Sequence, residues 1–212
     1  MTSGLRPSPE TALVDANVFY SQHQRNVFMT LGSERLFTVR WTDRIEREWL
    51  DALARNRPHL LVDQLRRTAQ MMRDAMPDAL VGGYEKYEAL LTKTDPKDRH
   101  VAAGAIACAP STVVTWNIKH FAADELAPRN VTVSDPDAFL CRTFEREPVD
   151  TFAATAKSFS FLKRPDGRPN WADYLDILAR NGLEDFAALL KARTPKEDSV
   201  DDADDIPTAD VK

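Results

Sequence analysis

The strongest constraint on the fold is that short apolar segments alternate with helical stretches along most of the chain. Four segments predict buried strands: residues 11–15, 36–40, 112–116 and 130–134. Between the second and the third, residues 43–55 place Ile45, Trp49 and Leu53 on one side of a helix. Strands that alternate with helices predict an α/β fold with a mostly parallel, twisted sheet flanked by helices.

The remaining pattern predicts how the chain is divided. Further helices are predicted at residues 17–31, 60–75, 84–91, 95–108 and 135–146. Residues 149–193 contain no convincing strand and predict two or three helices, with breaks near 164–167 and at Gly182. We therefore predict a flexible leader, an α/β domain, a small α-helical C-terminal annex and a disordered acidic tail, at residues 1–10, 11–147, 148–193 and 194–212 respectively.

The formal charge of the 212 residues is −5, but it is unevenly distributed. The predicted tail carries seven acids and two bases, which leaves 26 acids and 26 bases in the rest of the chain. The longest apolar run, residues 101–109, is far shorter than the roughly 20 residues that a membrane span needs. Because the N-terminus also lacks the apolar core of a signal peptide, we expect a cytoplasmic protein with no membrane partner.

Polar side chains follow the first and third predicted strands. Asp15 ends the first strand, and Thr115 and Asn117 lie at the end of the third. Ligands of open α/β sheets bind beyond the carboxyl ends of parallel strands, so these residues would present an acid, a hydroxyl and an amide at one edge of the sheet. Such oxygen ligands suit Mg²⁺ or Mn²⁺ better than zinc.

A second carboxylate lies near the start of the helix predicted at 95–108. Asp98 is in line with Val101 and Ala105, on an apolar stripe rather than on the solvated side. Two interpretations stay open. Asp95 and Asp98 form a capping pair at the start of the helix, or Asp98 faces Asp15, where a divalent metal would relieve the repulsion between the two carboxylates.

The helix predicted at 43–55 offers Glu46 and Glu48, both within or beside its apolar face. Asp43 and Glu46 form a helix-starting pair, which gives Glu46 a structural role, so we favour Glu48 as the functional acid. His100 falls away from the stripe that contains Asp98 and is predicted to be a partly exposed structural or phosphate-near residue. The other three histidines, including His120, have no mutual spacing that indicates metal binding.

Four stretches occur in an order that is typical of one family. They are LVDANVFY at 13–20, RWTDRIEREW at 40–49, DPKDRHVAA at 95–103 and VVTWNIKHF at 113–121. Over about residues 11–144 the sequence resembles the PIN-domain ribonucleases, which include the VapC toxins of prokaryotic toxin–antitoxin systems. The annex resembles the extra C-terminal region of some larger VapC-like proteins.

The resemblance implies a PIN-like fold and an acidic cluster of Asp15, Glu48 and Asp98 that holds Mg²⁺ or Mn²⁺, with Asp95 as a candidate for the outer coordination shell. Asn117 stands where many members carry a fourth Asp, which puts a firmly held second metal in doubt. The metal would activate water against an RNA phosphodiester, with no covalent nucleophile. Thr115 and Asn117 would orient ligands and water.

The basic residues near this cluster are candidates for RNA binding, because arginine suits phosphate contacts. Residues 40–73 carry eight arginines against five acids, although solvated helix faces with local ion pairs explain most of that excess. The individual candidates are Arg40, Arg44, Arg99 and Lys119. A second basic and aromatic segment, residues 157–171, is compatible with base stacking or with the core of the annex.

These observations predict a metal-dependent endoribonuclease that acts as the toxin of a type II toxin–antitoxin pair. The resemblance implies a small antitoxin as partner and a homodimer. Two alternatives stay open. One is a housekeeping RNA-processing or DNA-structure nuclease, and the other is a catalytically silent binding module in which Asn117 marks decay of the site.

Overall fold

A four-stranded parallel sheet forms the centre of the molecule. The computed structural model describes residues 9–162 and 170–194. The strands are β1 (Thr11–Val14), β2 (Thr38–Arg40), β3 (Ser111–Val114) and β4 (Val131–Ser134). Their order in the sheet is β2-β1-β3-β4, and all neighbours are parallel. The predicted α/β class with a parallel sheet flanked by helices is confirmed.

Helices connect the strands and follow the last one. Those before β3 are α1 (Ala16–Tyr20), α2 (Gln22–Ser33), α3 (Asp43–Asn56), α4 (Val62–Ala75), α5 (Glu85–Glu88) and α6 (Arg99–Ala107). Those after β3 are α7 (Ala123–Leu126), α8 (Pro136–Arg146), α9 (Pro148–Ser160), α10 (Trp171–Arg180) and α11 (Glu184–Arg193). Among the described helices, none is long and apolar enough to cross a membrane.

Three predicted helices differ from the observed ones. The helix predicted at 84–91 covers only Glu85–Glu88. The helix predicted at 17–31 is divided at Ser21, whose extended backbone ends α1 and whose hydroxyl accepts a hydrogen bond from the amide of Gln24 to start α2. The helix predicted from residue 95 begins only at Arg99. Residues 95–98 form a turn instead, in which the amide of Asp98 donates to the carbonyl of Asp95.

The two central strands are buried on both faces, as expected for a parallel sheet between helices. Leu13 and Val14 of β1 and Val113 and Val114 of β3 are fully buried. Helix α6 packs closely on β1 because Gly104 has no side chain: a Cβ there would lie 3.3 Å from the Leu13 side chain. This packing holds α6 against the strand that leads into Asp15.

The C-terminal part is helical, as predicted. Helices α9, α10 and α11 lie in the predicted annex, and Gly182, with φ +87°, separates the last two. The predicted boundary near Pro148 falls between α8 and α9 and stays a prediction. The predicted break at 164–167 and all but residues 9, 10 and 194 of the predicted leader and acidic tail lie outside the described residues.

A buried carboxylate holds the loop that leads to α6. Glu125 of α7 is 8% exposed and accepts hydrogen bonds from the backbone amides of Thr92, Lys93 and Thr94 at 2.6, 2.7 and 2.9 Å. Burial alone would raise the pKa of Glu125, but these amides lower it to about 2. The loop before Asp95 and Asp98 is therefore fixed by an ionised side chain.

We expect Glu125→Gln to lower the free energy of unfolding at pH 7 by about 2 kcal/mol, because an NH₂ group would replace an acceptor that faces amide donors. Urea denaturation measures this, with the exposed Glu145→Gln of α8 as control. The lowered pKa means that the stabilisation is present above pH 4.5 and is lost as the pH falls towards about 2. A constant difference between the proteins across that range would contradict the prediction.

Candidate metal centre

Asp15 lies where β1 ends and α1 begins, and it is 4% exposed. Its Oδ1 accepts a hydrogen bond from the amide of Ala16 at 2.6 Å. Its Oδ2 accepts from the Thr115 hydroxyl and from the Asn17 side-chain amide, both at 2.7 Å. Thr115 follows β3, the neighbour of β1, so the parallel strand ends bring these side chains together at the predicted edge of the sheet.

Asn17 is a site residue that the sequence analysis missed. Its Nδ2 also donates to the Thr115 hydroxyl at 2.9 Å, and its Oδ1 accepts from the backbone amide of Trp116 at 3.3 Å. Its position two residues after Asp15, in the first turn of α1, is the signal that was available. Asn117 contacts Thr115 through its backbone amide, at 3.1 Å, while its side chain is exposed.

The environment of Asp15 opposes its negative charge. Burial, with a smaller contribution from the charge of Asp98, raises its pKa to about 6, against the hydrogen bonds from Thr115 and Ala16. Asp98 is thus close enough to Asp15 for the two carboxylates to repel each other. A divalent cation would offset both the cost of the buried charge and this repulsion, so the carboxylate chemistry of Asp15 and Asp98 suits a cation.

Asp95, Asp98 and His120 form a cluster that could hold a metal ion, because one ligand atom from each lies within 4.8 Å of the others. Asp98 Oδ2 is 3.0 Å from His120 Nδ1, and the amide of Asp95 donates to the carbonyl of His120 at 2.9 Å. His120 was not predicted to be a metal ligand, because its spacing to the other histidines does not indicate metal binding. The short turn Ile118–His120 after β3 brings it to the acids.

The capping interpretation of Asp98 is wrong. Asp98 is the residue before α6, but its side chain makes no capping hydrogen bond. It faces His120 instead, while Asp95 accepts a hydrogen bond from the amide of Lys97 at 2.9 Å. Because α6 begins at Arg99, Asp98 lies before the helix rather than in its first turn.

Glu48 contacts His100, whose Nε2 lies 3.1 Å from Glu48 Oε1. The expected partial exposure of His100 is wrong, since it is 1% exposed. Residues 100–105 of α6 are all buried, so even the side of the helix away from the apolar stripe is covered. Although burial alone would raise the pKa of Glu48, His100 and Arg44 lower it. The charge of His100 also acts on Asp15 and links the two acids.

Glu46 has a structural role, but not through the predicted helix-starting pair with Asp43, because Thr42 caps the start of α3. It is buried, accepts a hydrogen bond from Trp41 Nε1 at 3.3 Å, and forms an ion pair with Arg73 at 3.2 Å. Trp41 directly follows β2, and Arg73 lies on α4. Glu46 is therefore occupied elsewhere, and Glu48 is the glutamate of α3 that contacts a residue of α6.

Two of the predicted RNA contacts have partners inside the protein. Arg44 lies 3.3 Å from Glu48 and 3.9 Å from Glu88. Arg99 donates to the carbonyls of Thr94 and Thr92, both at 3.2 Å, and so braces the loop that Glu125 holds.

The other two predicted RNA contacts lie apart from each other. Lys119 is exposed and precedes His120, beside the acidic cluster. Arg40 lies near Cys108, at the opposite end of α6 from Asp98. Burial raises the pKa of the Cys108 thiol, and the positive charge of Arg40 opposes this rise. As RNA contacts, all four residues stay predictions.

Similarity to known proteins is confined to the C-terminal part of the chain. Residues 136–192 match the family described as the VapC50 C-terminal domain. No curated protein and no solved structure matches this chain. The match begins with α8 and extends into α11, and it suggests a VapC-family protein. It contains none of the acids of the site, so the PIN resemblance of residues 11–144 stays a prediction.

The matched segment packs against the edge of the site. Trp116 follows Thr115 and lies against the turn between α10 and α11, where a Cβ on Gly182 would be 3.0 Å from the Trp116 ring. Trp116 Nε1 donates to Gln24 Oε1 at 3.1 Å, and Gln24 Nε2 donates to the carbonyl of Asn181. The VapC50-like helices therefore support the loop that carries Thr115.

We expect Asp15→Asn to change the pH dependence of stability in the metal-free protein. The pKa of Asp15 rises from an ordinary 3.8 to about 6 on folding. A raised pKa means that stability is retained below the lower value and lost as the pH rises through the upper one. At about 1.4 kcal/mol per pH unit, wild type should lose about 3 kcal/mol relative to the variant between about pH 4 and pH 7.

Urea denaturation in EDTA at several pH values measures this difference. Asp51→Asn, which removes an exposed acid on α3, is the control and should follow the wild-type pH dependence. If the curves for wild type and Asp15→Asn run parallel, the carboxyl group of Asp15 is not held in the environment described above.

Proposed function

We propose that this protein is a metal-dependent endoribonuclease, and that it acts as the toxin of a type II toxin–antitoxin pair. The observation that carries the proposal is the buried carboxylate of Asp15 at the carboxyl end of β1, with its pKa raised by burial and by Asp98. The match of residues 136–192 to the VapC50 C-terminal domain supports the assignment to toxins. A small antitoxin and a second copy of the chain are the proposed protein partners.

We infer that Asp15, Glu48 and Asp98 hold the metal, with Asp95 and His120 beside them. Carboxylate oxygens with a single imidazole nitrogen suit Mg²⁺ or Mn²⁺. The bound metal would supply Lewis-acid stabilisation of the phosphate and a water molecule of lowered pKa. The protein would contribute the positions of its side chains, because no covalent intermediate is needed for hydrolysis by water.

Neighbouring groups fix the orientation of each acid. Thr115 and Asn17 both donate to Oδ2 of Asp15, and the amide of Ala16 donates to its Oδ1. His100 and Arg44 approach the same oxygen of Glu48, which leaves its other oxygen for a ligand. His120 fixes one oxygen of Asp98. Such orientation before binding lowers the cost of assembling a metal site.

We expect the purified protein to cut a structured RNA in the presence of Mn²⁺ or Mg²⁺, and not in EDTA. Asp15→Asn should lower the rate at least about 100-fold, because it removes a charged group that stabilises the charge of the reacting phosphate through the metal. Gel analysis of a labelled RNA measures the rate, and Asp51→Asn should cut at the wild-type rate.

Cleavage that survives Asp15→Asn would place the reaction outside this site. If no RNA is cut, a titration with metal that follows the melting temperature distinguishes an inactive binding module from a nuclease that does not cut the RNA chosen for the test. A metal that binds the folded protein at about 100 times its Kd stabilises it by about 2.7 kcal/mol. If neither Mn²⁺ nor Mg²⁺ raises the melting temperature of wild type above that of Asp15→Asn, the site does not hold a metal.

Induction of the gene without its neighbours tests the role as a toxin. We expect growth arrest and new RNA ends within minutes for wild type, and normal growth for Asp15→Asn at equal protein level. Arrest should be relieved by co-expression of a small protein encoded beside the gene. Normal growth of cells that contain active, metal-dependent nuclease would favour a housekeeping RNA-processing or DNA-structure enzyme instead.

A further inference from the structure

A buried arginine on α2 has no acidic partner among the described residues. Arg25 is 9% exposed, and its guanidinium lies 5.0 Å from the centre of the Trp49 ring. One of its N–H groups donates to the backbone carbonyl of Phe19. Within the part of the chain that the structure describes, no carboxylate forms an ion pair with it. A buried charge of this kind is costly unless a counterion neutralises it.

A second arginine lies beside the first. Arg57 follows the last residue of α3, is exposed, and lies 5.8 Å from the centre of the Tyr20 ring. Burial, with a smaller contribution from the positive charge of Arg57, lowers the pKa of Arg25 to about 10. The two guanidinium groups are therefore close enough to repel each other, with no described acid between them.

Both arginines line one cleft between α2, α3 and α4, with a volume of about 350 Å³. No Asp or Glu lines it. Its remaining polar lining consists of hydroxyl and amide side chains: Tyr20, Gln22, Asn26, Gln64 and Thr68. Two cations among neutral hydrogen-bonding groups, in a cleft without acids, are the chemistry that binds an oxyanion.

The cleft lies on the same two helices as the acidic site. Helix α1 begins next to Asp15 and ends at Tyr20, which lines the cleft. Its five residues measure about 7.5 Å at a rise of about 1.5 Å per residue. Helix α3 carries Glu48 and ends beside Arg57. Since nucleic-acid strands place phosphates about 3.4 Å apart along a helix axis, the cleft lies within a few nucleotides of the acids.

We propose that Arg25 and Arg57 form a phosphate-binding site, which holds a backbone phosphate of the RNA substrate a few nucleotides from the bond that is cut. The inference rests on the proposed function, because that function supplies the RNA. A phosphate group accepts the paired N–H groups of a guanidinium, and it would neutralise the two cations at once. The site positions the strand and contributes no group to the reaction.

The first test uses inorganic phosphate as the probe and the full-length protein in EDTA. Phosphate at about five times its Kd should raise the melting temperature of wild type by about 2–4 °C above KCl of equal ionic strength. Arg57→Gln should lose this shift, and so should Arg25→Gln, whatever its own melting temperature. Arg55→Gln removes an exposed charge from the same end of α3 and should keep the shift.

The second test measures the binding of a labelled single-stranded RNA by fluorescence anisotropy, again in EDTA so that no cleavage occurs. We expect Arg57→Gln to raise the Kd about tenfold, since a lost hydrogen bond between charged groups has roughly that effect. It should also reduce the slope of log Kd against log salt by about one phosphate contact. Arg55→Gln should change the Kd less than threefold.

Equal effects of Arg57→Gln and Arg55→Gln in both tests would overturn the proposal. A phosphate shift that depends on Arg57, together with an unchanged RNA affinity, would also overturn it, because the cleft would then take another anion, such as an acidic protein segment. Metal-dependent cleavage by wild type separates the two proposals. If wild type cuts RNA while Arg57→Gln binds RNA normally, only the phosphate site fails. If wild type neither cuts nor binds RNA, the proposed function fails first.

Discussion

The arrangement depends on a carboxylate that is buried at the end of a central strand. Asp15 cannot leave the sheet edge, because β1 is paired on both sides and the amide of Ala16 and the hydroxyl of Thr115 hold its two oxygens. The same burial penalises its charge, and Asp98 adds to the penalty. The fold thus maintains a local excess of negative charge. A cation bound there would be attracted more strongly than a cation bound to exposed acids.

Asp15 and the pair of Arg25 and Arg57 lie at opposite ends of α1. The charge of Asp98 acts on Asp15, and Glu48 contacts His100, whereas Arg25 and Arg57 line one cleft at the far end of α1. Neither group is neutralised by the other. A polyanion with its own bound cations can satisfy both groups at once, which is the electrostatic character expected of RNA and divalent metal.

The sequence predicts the sheet well because its signal is local. Each of β1 to β4 falls within a predicted apolar segment or differs from it by one residue at an end, and the strand-end rule brings Asp15 to Thr115. The errors concern side chains whose partners are distant along the chain. The burial of His100 depends on what covers α6, and the use of His120 depends on a turn that meets Asp95.

Glu125 shows a similar limit of sequence reasoning. An acid in a short helical segment predicts nothing by itself, and only the folded chain places it under the amides of residues 92–94. The favoured choice of Glu48 over Glu46 rested on a local pairing of Asp43 with Glu46, whereas Glu46 contacts Trp41 and Arg73 instead. Arg73 lies on another helix, so a rule about neighbours in sequence does not predict its ion pair with Glu46.

The hydrogen bonds from the amides of residues 92–94 to Glu125 have a consequence for how the site can open. Asp15 belongs to the sheet, while Asp95 and Asp98 lie on a loop that α7 holds through backbone amides. We expect these two parts to differ in stability, since a loop held by the side chains of Glu125 and Arg99 opens at a lower free energy than a buried strand. The ligand set can therefore come apart while the sheet stays folded, and amide hydrogen exchange at residues 92–98 would report that event separately from global unfolding.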